Sequence, residues 1–180
     1  MKHLTPSEIP TIRDDQALYD RLAAELSARL GDSAGADDAV FVAALHRLPP
    51  GLRAMAATYQ LDVSVCLDDL ATHFLNWHSL PLAQETLMGL RELGATDEAA
   101  LFEQAIGIIT PHWDLLEAPD FRKQYRRSSL EAALRPIDDA LGTLLGYSPV
   151  DRSYEKKNLL SRWVPYARTH PDRVCDPGAT

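Results

Sequence analysis

Cysteine is scarce in this chain: only Cys66 and Cys175 occur in 180 residues. One lies in an amphipathic stretch and the other in a polar tail, and no CxxC joins them. That pattern excludes a secreted disulfide framework and fits a reducing compartment. Long apolar runs are missing too. The longest, Ala39 to Leu45, is far too short to cross a bilayer. The N-terminal MKHLTPSEIPTIRDD lacks the apolar core of a signal peptide. A cytoplasmic protein with no membrane contact is therefore expected. No HExxH, GxSxG or glycine-rich phosphate loop occurs, since the nine glycines are scattered at turns. The expectation is a protein that is not an enzyme and uses no cofactor.

Cations are scarce in one region. Residues 61–120 hold Arg91 against 11 acidic groups. Residues 1–60 hold 6 basic and 8 acidic groups, and residues 121–180 hold 11 basic and 7 acidic. The formal net charge is −8. An anionic middle third repels nucleic acid and anionic membrane and attracts basic partners. The competing explanation is simple solubility of a helical surface.

What is present is helical periodicity through nearly the whole chain, with no alternating strand pattern. The fold class expected is all-α, a single-domain bundle of about seven to nine helices over residues 15–170. Flexible segments are expected at 1–14 and 171–180. Asp14 or Asp15 caps a first helix that Gly31 ends. Pro49-Pro50-Gly51 separates a second helix from a third, which carries Leu52, Met55 and Tyr59. Val63, Leu67, Leu70, Phe74 and Trp77 form one stripe at i, i+4, i+7, i+11 and i+14, predicting a continuous fourth helix. Pro81 sits in the first turn of the next, which Gly94 ends, and Thr96 is expected to cap the one after. Leu130, Leu134, Ile137, Leu141 and Leu144 mark a long helix bent at Pro136. A last one carries Leu159, Leu160, Trp163 and Tyr166, with a kink expected at Pro165.

Four stretches carry a resemblance. They are Leu48-Pro49-Pro50-Gly51-Leu52-Arg53, Tyr59-Gln60-Leu61-Asp62-Val63, Phe74-Leu75-Asn76 with the following Ala83 to Ala95, and Tyr166 to Asp172. In this order they resemble the bacterial helical domain-of-unknown-function family that includes DNA-mimic proteins, over roughly residues 18 to 174. The resemblance implies an all-helical fold, is compatible with a homodimer, and points to DNA mimicry as a role. The chain departs from the family at Leu67-Asp68-Asp69, where Asn-Gly-Gly is common; Asn76 matches.

The function expected is a non-enzymatic acidic binding protein that presents carboxylates of residues 61–120 to a basic protein. A DNA-binding protein is the leading case, with no direct contact to nucleic acid. The partner-binding residues expected are Asp62, Asp69, Glu92, Asp97, Glu98 and Glu103, because each lies off the inferred apolar stripes. A toxin-neutralising or regulatory role would use the same face. The enzyme-class alternative is a small hydrolase or metal-binding protein built on Asp69 and His73, which are spaced i, i+4. Against it stands the reading of a solvated ion pair on a helix flank, with no catalytic residue and no metal ligand set. Trp77, Trp113 and Trp163 could converge on an aromatic pocket, although the spacing makes Trp77 and Trp163 core anchors first. The basic cluster Arg122-Lys123 and Arg126-Arg127 could contact phosphate or a second subunit.

Overall fold

The computed structural model describes residues 3–35, 37–116, 120, 123–124, 129–147 and 158–178. The fold is all-α, with no strand among the described residues, and the helix count lies within the expected range. The helices are α1 (Asp15–Leu30), α2 (Asp38–Leu45), α3 (Pro50–Leu67), α4 (Leu70–Asn76), α5 (Leu80–Glu92), α6 (Thr96–Ile109), α7 (Trp113–Leu116), α8 (Ser129–Leu144) and α9 (Trp163–Thr169). Arg122, Arg126 and Arg127 of the basic cluster lie outside the described residues.

Local signals place most helix ends. The Asp14 side chain accepts from the Ala17 N–H at 2.7 Å, and Asp37 and Ser79 cap α2 and α5 in the same way. Gly94, at φ +70, closes α5, with Ala95 N–H reaching the Leu90 carbonyl at 2.8 Å. Thr96 is the first residue of α6 rather than its cap, and Ala95 precedes it without a side-chain cap. Pro165 falls in the first turn of α9, where no N–H is needed, and not at an interior kink.

The apolar residues form two adjacent clusters that share α3. Leu52, Met55 and Ala57 join α1, α2 and α9 in the first, and Leu61, Val65 and Cys66 join α4, α6 and α8 in the second. Alpha5 packs along α3 and reaches both clusters through Leu82 and Leu90. A Cβ at Gly89 would stand 3.0 Å from the Ala54 carbonyl oxygen, so this crossing depends on a missing side chain. Phe74 is fully buried, stacked on Phe102 at 5.7 Å, whereas Trp77 is half-buried against Phe41 of the other cluster.

The continuous stripe expected from Val63 to Trp77 is broken. Alpha3 runs on from Pro50 to Leu67, stops at Asp68, and α4 begins at Leu70. The Asp69 side chain accepts from the Thr72 N–H at 2.7 Å, so an aspartate caps a new helix where periodicity alone would continue the old one. Leu67 is consequently 58% exposed.

The described residues near both termini pack on the bundle. Leu4 and Ile9 are buried, and Glu25 on α1 accepts from the Leu4 N–H and contacts the His3 ring. Val174 and Cys175 are buried, and Val174 lies against the start of α3, where a Cβ on Gly51 would meet Tyr166 at 2.6 Å and Val174 at 2.7 Å. Arg29 reaches Asp176 with both terminal nitrogens. These apolar residues are too few to show periodicity, but buried partners elsewhere in the chain hold them.

Candidate functional site

At the α3–α4 break, carboxylates from distant segments come together. Asp68 and Asp69 form the turn, and α8 brings Asp138 against it, with the exposed Asp139 next along the helix. The Asp138 carboxylate accepts from the Leu70 N–H at 2.9 Å and so supports the first turn of α4 beside the Asp69 cap. Burial pushes the Asp138 carboxyl up to about 6, with repulsion from Asp69, Asp139 and Asp68 adding to it and the Leu70 bond opposing it. Among the described residues no salt bridge reaches Asp69, Asp138 or Asp139. Asp138 and Asp139 were not among the expected residues because the last third of the chain carries a net excess of basic groups. Only the packing of α8 on α4 reveals them.

The six expected partner-binding residues separate into three groups. Asp62 and Glu98 are buried and cannot be presented, which corrects their assignment. Asp62 accepts from the Tyr147 hydroxyl at 2.8 Å and the Leu159 N–H at 3.2 Å. Burial raises its carboxyl, against these two bonds. Glu98 accepts from Arg162 at 2.5 Å. Both were misplaced because a wheel position off the main stripe of one helix can still face a neighbouring segment. Glu92 is half-buried and held by Arg173, with Tyr166 also donating to it, and those bonds keep its carboxyl below the usual range. Asp69, Asp97 and Glu103 retain solvent access, Glu103 in an exposed pair with Arg91.

Asp69 and His73 are engaged elsewhere and not with each other. Asp69 caps α4, while the His73 Nδ1 lies 3.2 Å from the Ser64 hydroxyl and the ring packs edge-on to Phe74 and Phe102. Burial depresses the imidazole to about 4, so it is a neutral core group and not a solvated flank. The three tryptophans do not converge. Trp77 meets Phe41, Trp113 meets Phe74 and donates to the His78 carbonyl, and Trp163 meets Tyr19 and Tyr59. Among the described residues no three His, Cys, Asp or Glu side chains are grouped to hold a metal. Both cysteines are free and buried, and burial pushes the Cys175 thiol up to about 11. No helix among the described residues is long and apolar enough to cross a membrane.

The fold and this site define an all-helical domain whose distinctive surface is a corner of clustered carboxylates. The model of the DMP19-like protein family matches residues 46–170, and the chain belongs to that family. The match begins and ends inside the wider span of the sequence resemblance and contains both sides of the Asp68 break. No curated protein and no solved structure matches the chain.

Proposed function

We propose that this protein binds a basic protein partner, with a DNA-binding protein as the leading case, through the carboxylates at the α4–α8 corner. The observation that carries the reading is Asp138, a carboxyl placed among other carboxyls with no salt bridge among the described residues. Repulsion from Asp69 and Asp139 adds to the burial that holds this carboxyl up in the free protein. A cationic partner would relieve it and would be steered to the corner by the same field. Family membership supports the same direction. Asp97 and Glu103 add exposed carboxylates on α6, which packs on α8.

The test uses the parent and an Asp69→Ser, Asp139→Lys variant, in which serine preserves the helix cap. Both are immobilised and exposed to native cell extract over a salt series, with and without added duplex DNA. The parent should retain a basic DNA-binding protein that salt and duplex DNA each displace, and the variant should retain at least tenfold less. Equal retention by the variant, or indifference to duplex DNA, rejects the reading.

A further inference from the structure

Where the starts of α2, α5 and α7 meet lies an open pocket of about 570 Å³. Asp37 and Asp38 line it together with His78, Leu80, Pro81 and Trp113. Among the described residues no lysine or arginine lines it, and it shares no residue with the carboxylate corner.

The chemistry of the walls selects the occupant. Asp38 is half-buried, and among the described residues no hydrogen bond or ion pair reaches its carboxylate. Burial pushes that carboxyl up, the His78 ring opposes the shift, and the Asp37 charge adds to it. Asp37 spends one oxygen on the Ala39 N–H at 2.8 Å and keeps the other. The His78 Nδ1 donates to the Leu75 carbonyl at 3.1 Å, which leaves Nε2 an acceptor in the neutral ring. The Trp113 indole N–H is spent on the His78 carbonyl at 3.1 Å. The pocket therefore offers acceptors and needs donors.

An anion finds little to hold there. Both α2 and α5 start at the pocket, and each start carries roughly half a positive charge, which Asp37 and Asp38 together outweigh. The N–H groups that would grip an anion are also engaged. Asp37 takes that of Ala39, the Ser79 hydroxyl takes that of Leu82, and Pro81 has none. Nor is a metal ion suited, since no three His, Cys, Asp or Glu side chains are grouped to hold one among the described residues. An organic cation with several donors and an apolar stem fits. A guanidinium suits these walls better than an ammonium, because it is planar, weakly hydrated and able to pair both oxygens of one carboxylate while lying on an aromatic surface. Ala39 in the wall and Val40 beside it, 49% exposed, give the pocket an apolar rim. Arginine set in apolar surroundings is a common anchor of protein contacts, whereas a metabolite site encloses most of its ligand.

We propose that this pocket receives an arginine side chain from a protein partner. The guanidinium donates to Asp38 and to the second oxygen of Asp37, and the stem lies along Leu80, Pro81 and Trp113. The contact does not depend on the carboxylate corner.

The probe is a blocked tripeptide with arginine between two glycines. Its counterparts carry lysine or the neutral isostere citrulline in place of arginine, and agmatine is the free small guanidine. The chain has three tryptophans, so a two-dimensional nitrogen–proton spectrum separates their indole signals, and Trp113→Phe identifies that of Trp113 by its loss. The Trp113 signal should move saturably with the arginine peptide, with a Kd of roughly 1 mM for a single side chain. The lysine peptide should bind at least threefold more weakly, and the citrulline peptide should give no saturable shift. Asp38→Asn should weaken binding at least fivefold at unchanged Tm. Asp37→Ser, which keeps the helix cap, gives the same loss if Asp38→Asn does not fold. Asp139→Lys at the corner should leave the response intact. No saturable shift, parental affinity in both pocket variants, or equal binding of the lysine or citrulline peptide overturns the proposal. Agmatine binding tenfold tighter than the peptide, or loss of the response in Asp139→Lys, overturns it as well.

Discussion

Asp138 on α8 accepts a hydrogen bond from the backbone N–H of Leu70 at 2.9 Å, across 68 residues of sequence. The bond ties the acidic corner to the start of α4, and its acceptor is a group that folding makes harder to ionise. The carboxyl titrates near 6 in the folded chain against an ordinary value of 3.8. Between these values the folded state binds more protons than the unfolded one, so stability falls as pH rises through that window. Asp138→Asn keeps an acceptor for Leu70 and removes the charge. Allowing for partial exposure, it should stabilise the protein by about 1–2 kcal/mol at pH 7 and by nothing at pH 4. Urea unfolding of both proteins at the two pH values checks this, and equal stability at pH 7 would refute it.

His73 works in the opposite sense. Its folded value of about 4 lies below the ordinary 6.5, so the unfolded state takes up protons first and stability falls as pH drops through that window. The loss should reach about 2–3 kcal/mol by pH 4. In the parent the two groups offset each other over much of the same range. Asp138→Asn should therefore show steeper acid destabilisation than the parent, and adding His73→Phe should flatten it again. An unchanged slope in the double variant would show that other groups control the acid limb.

Glu25 is a buried anion shared by four donors. Burial pushes its carboxyl up, but bonds from Arg29, His3 and the Leu4 N–H outweigh that and hold it below the usual range, and Arg21 also donates. Glu25→Ala leaves Arg29 and the Leu4 N–H short of an acceptor and should cost about 3 kcal/mol. It should also free residues 3–13 for proteolysis before the rest of the chain. Cleavage there at the parental rate would contradict this account.

Gly51 tests how the C-terminal segment packs. An added Cβ meets Tyr166 and Val174 at under 3 Å, with the Arg173 carbonyl oxygen at 3.0 Å. Gly51→Ala should cost about 1–3 kcal/mol through overpacking, although alanine favours the helix. Gly107, with open space around it, is the control: Gly107→Ala should be neutral or stabilising. If the two variants melt alike, residues 171–178 do not seat on α3 as described.

The sequence by itself determined the helical class, most helix limits and the deeply buried anchors. Those depend on interactions within a few residues: the Asp14 and Ser79 caps, the left-handed Gly94, and the spacing that buries Leu134, Ile137 and Leu141. The tertiary structure alone decided which carboxylates face water. Asp62 and Glu98 look as free as Asp97 on a helical wheel, yet Tyr147 and Arg162 reach them from far along the chain. Tertiary packing likewise brought Asp138 beside Asp69, and Tyr19 and Tyr59 onto Trp163. The reason is physical. Helix caps and periodicity are local energies that a short window of sequence carries. Burial, pairing and clustering of charge depend on which helix covers which face, and no single helix contains that information.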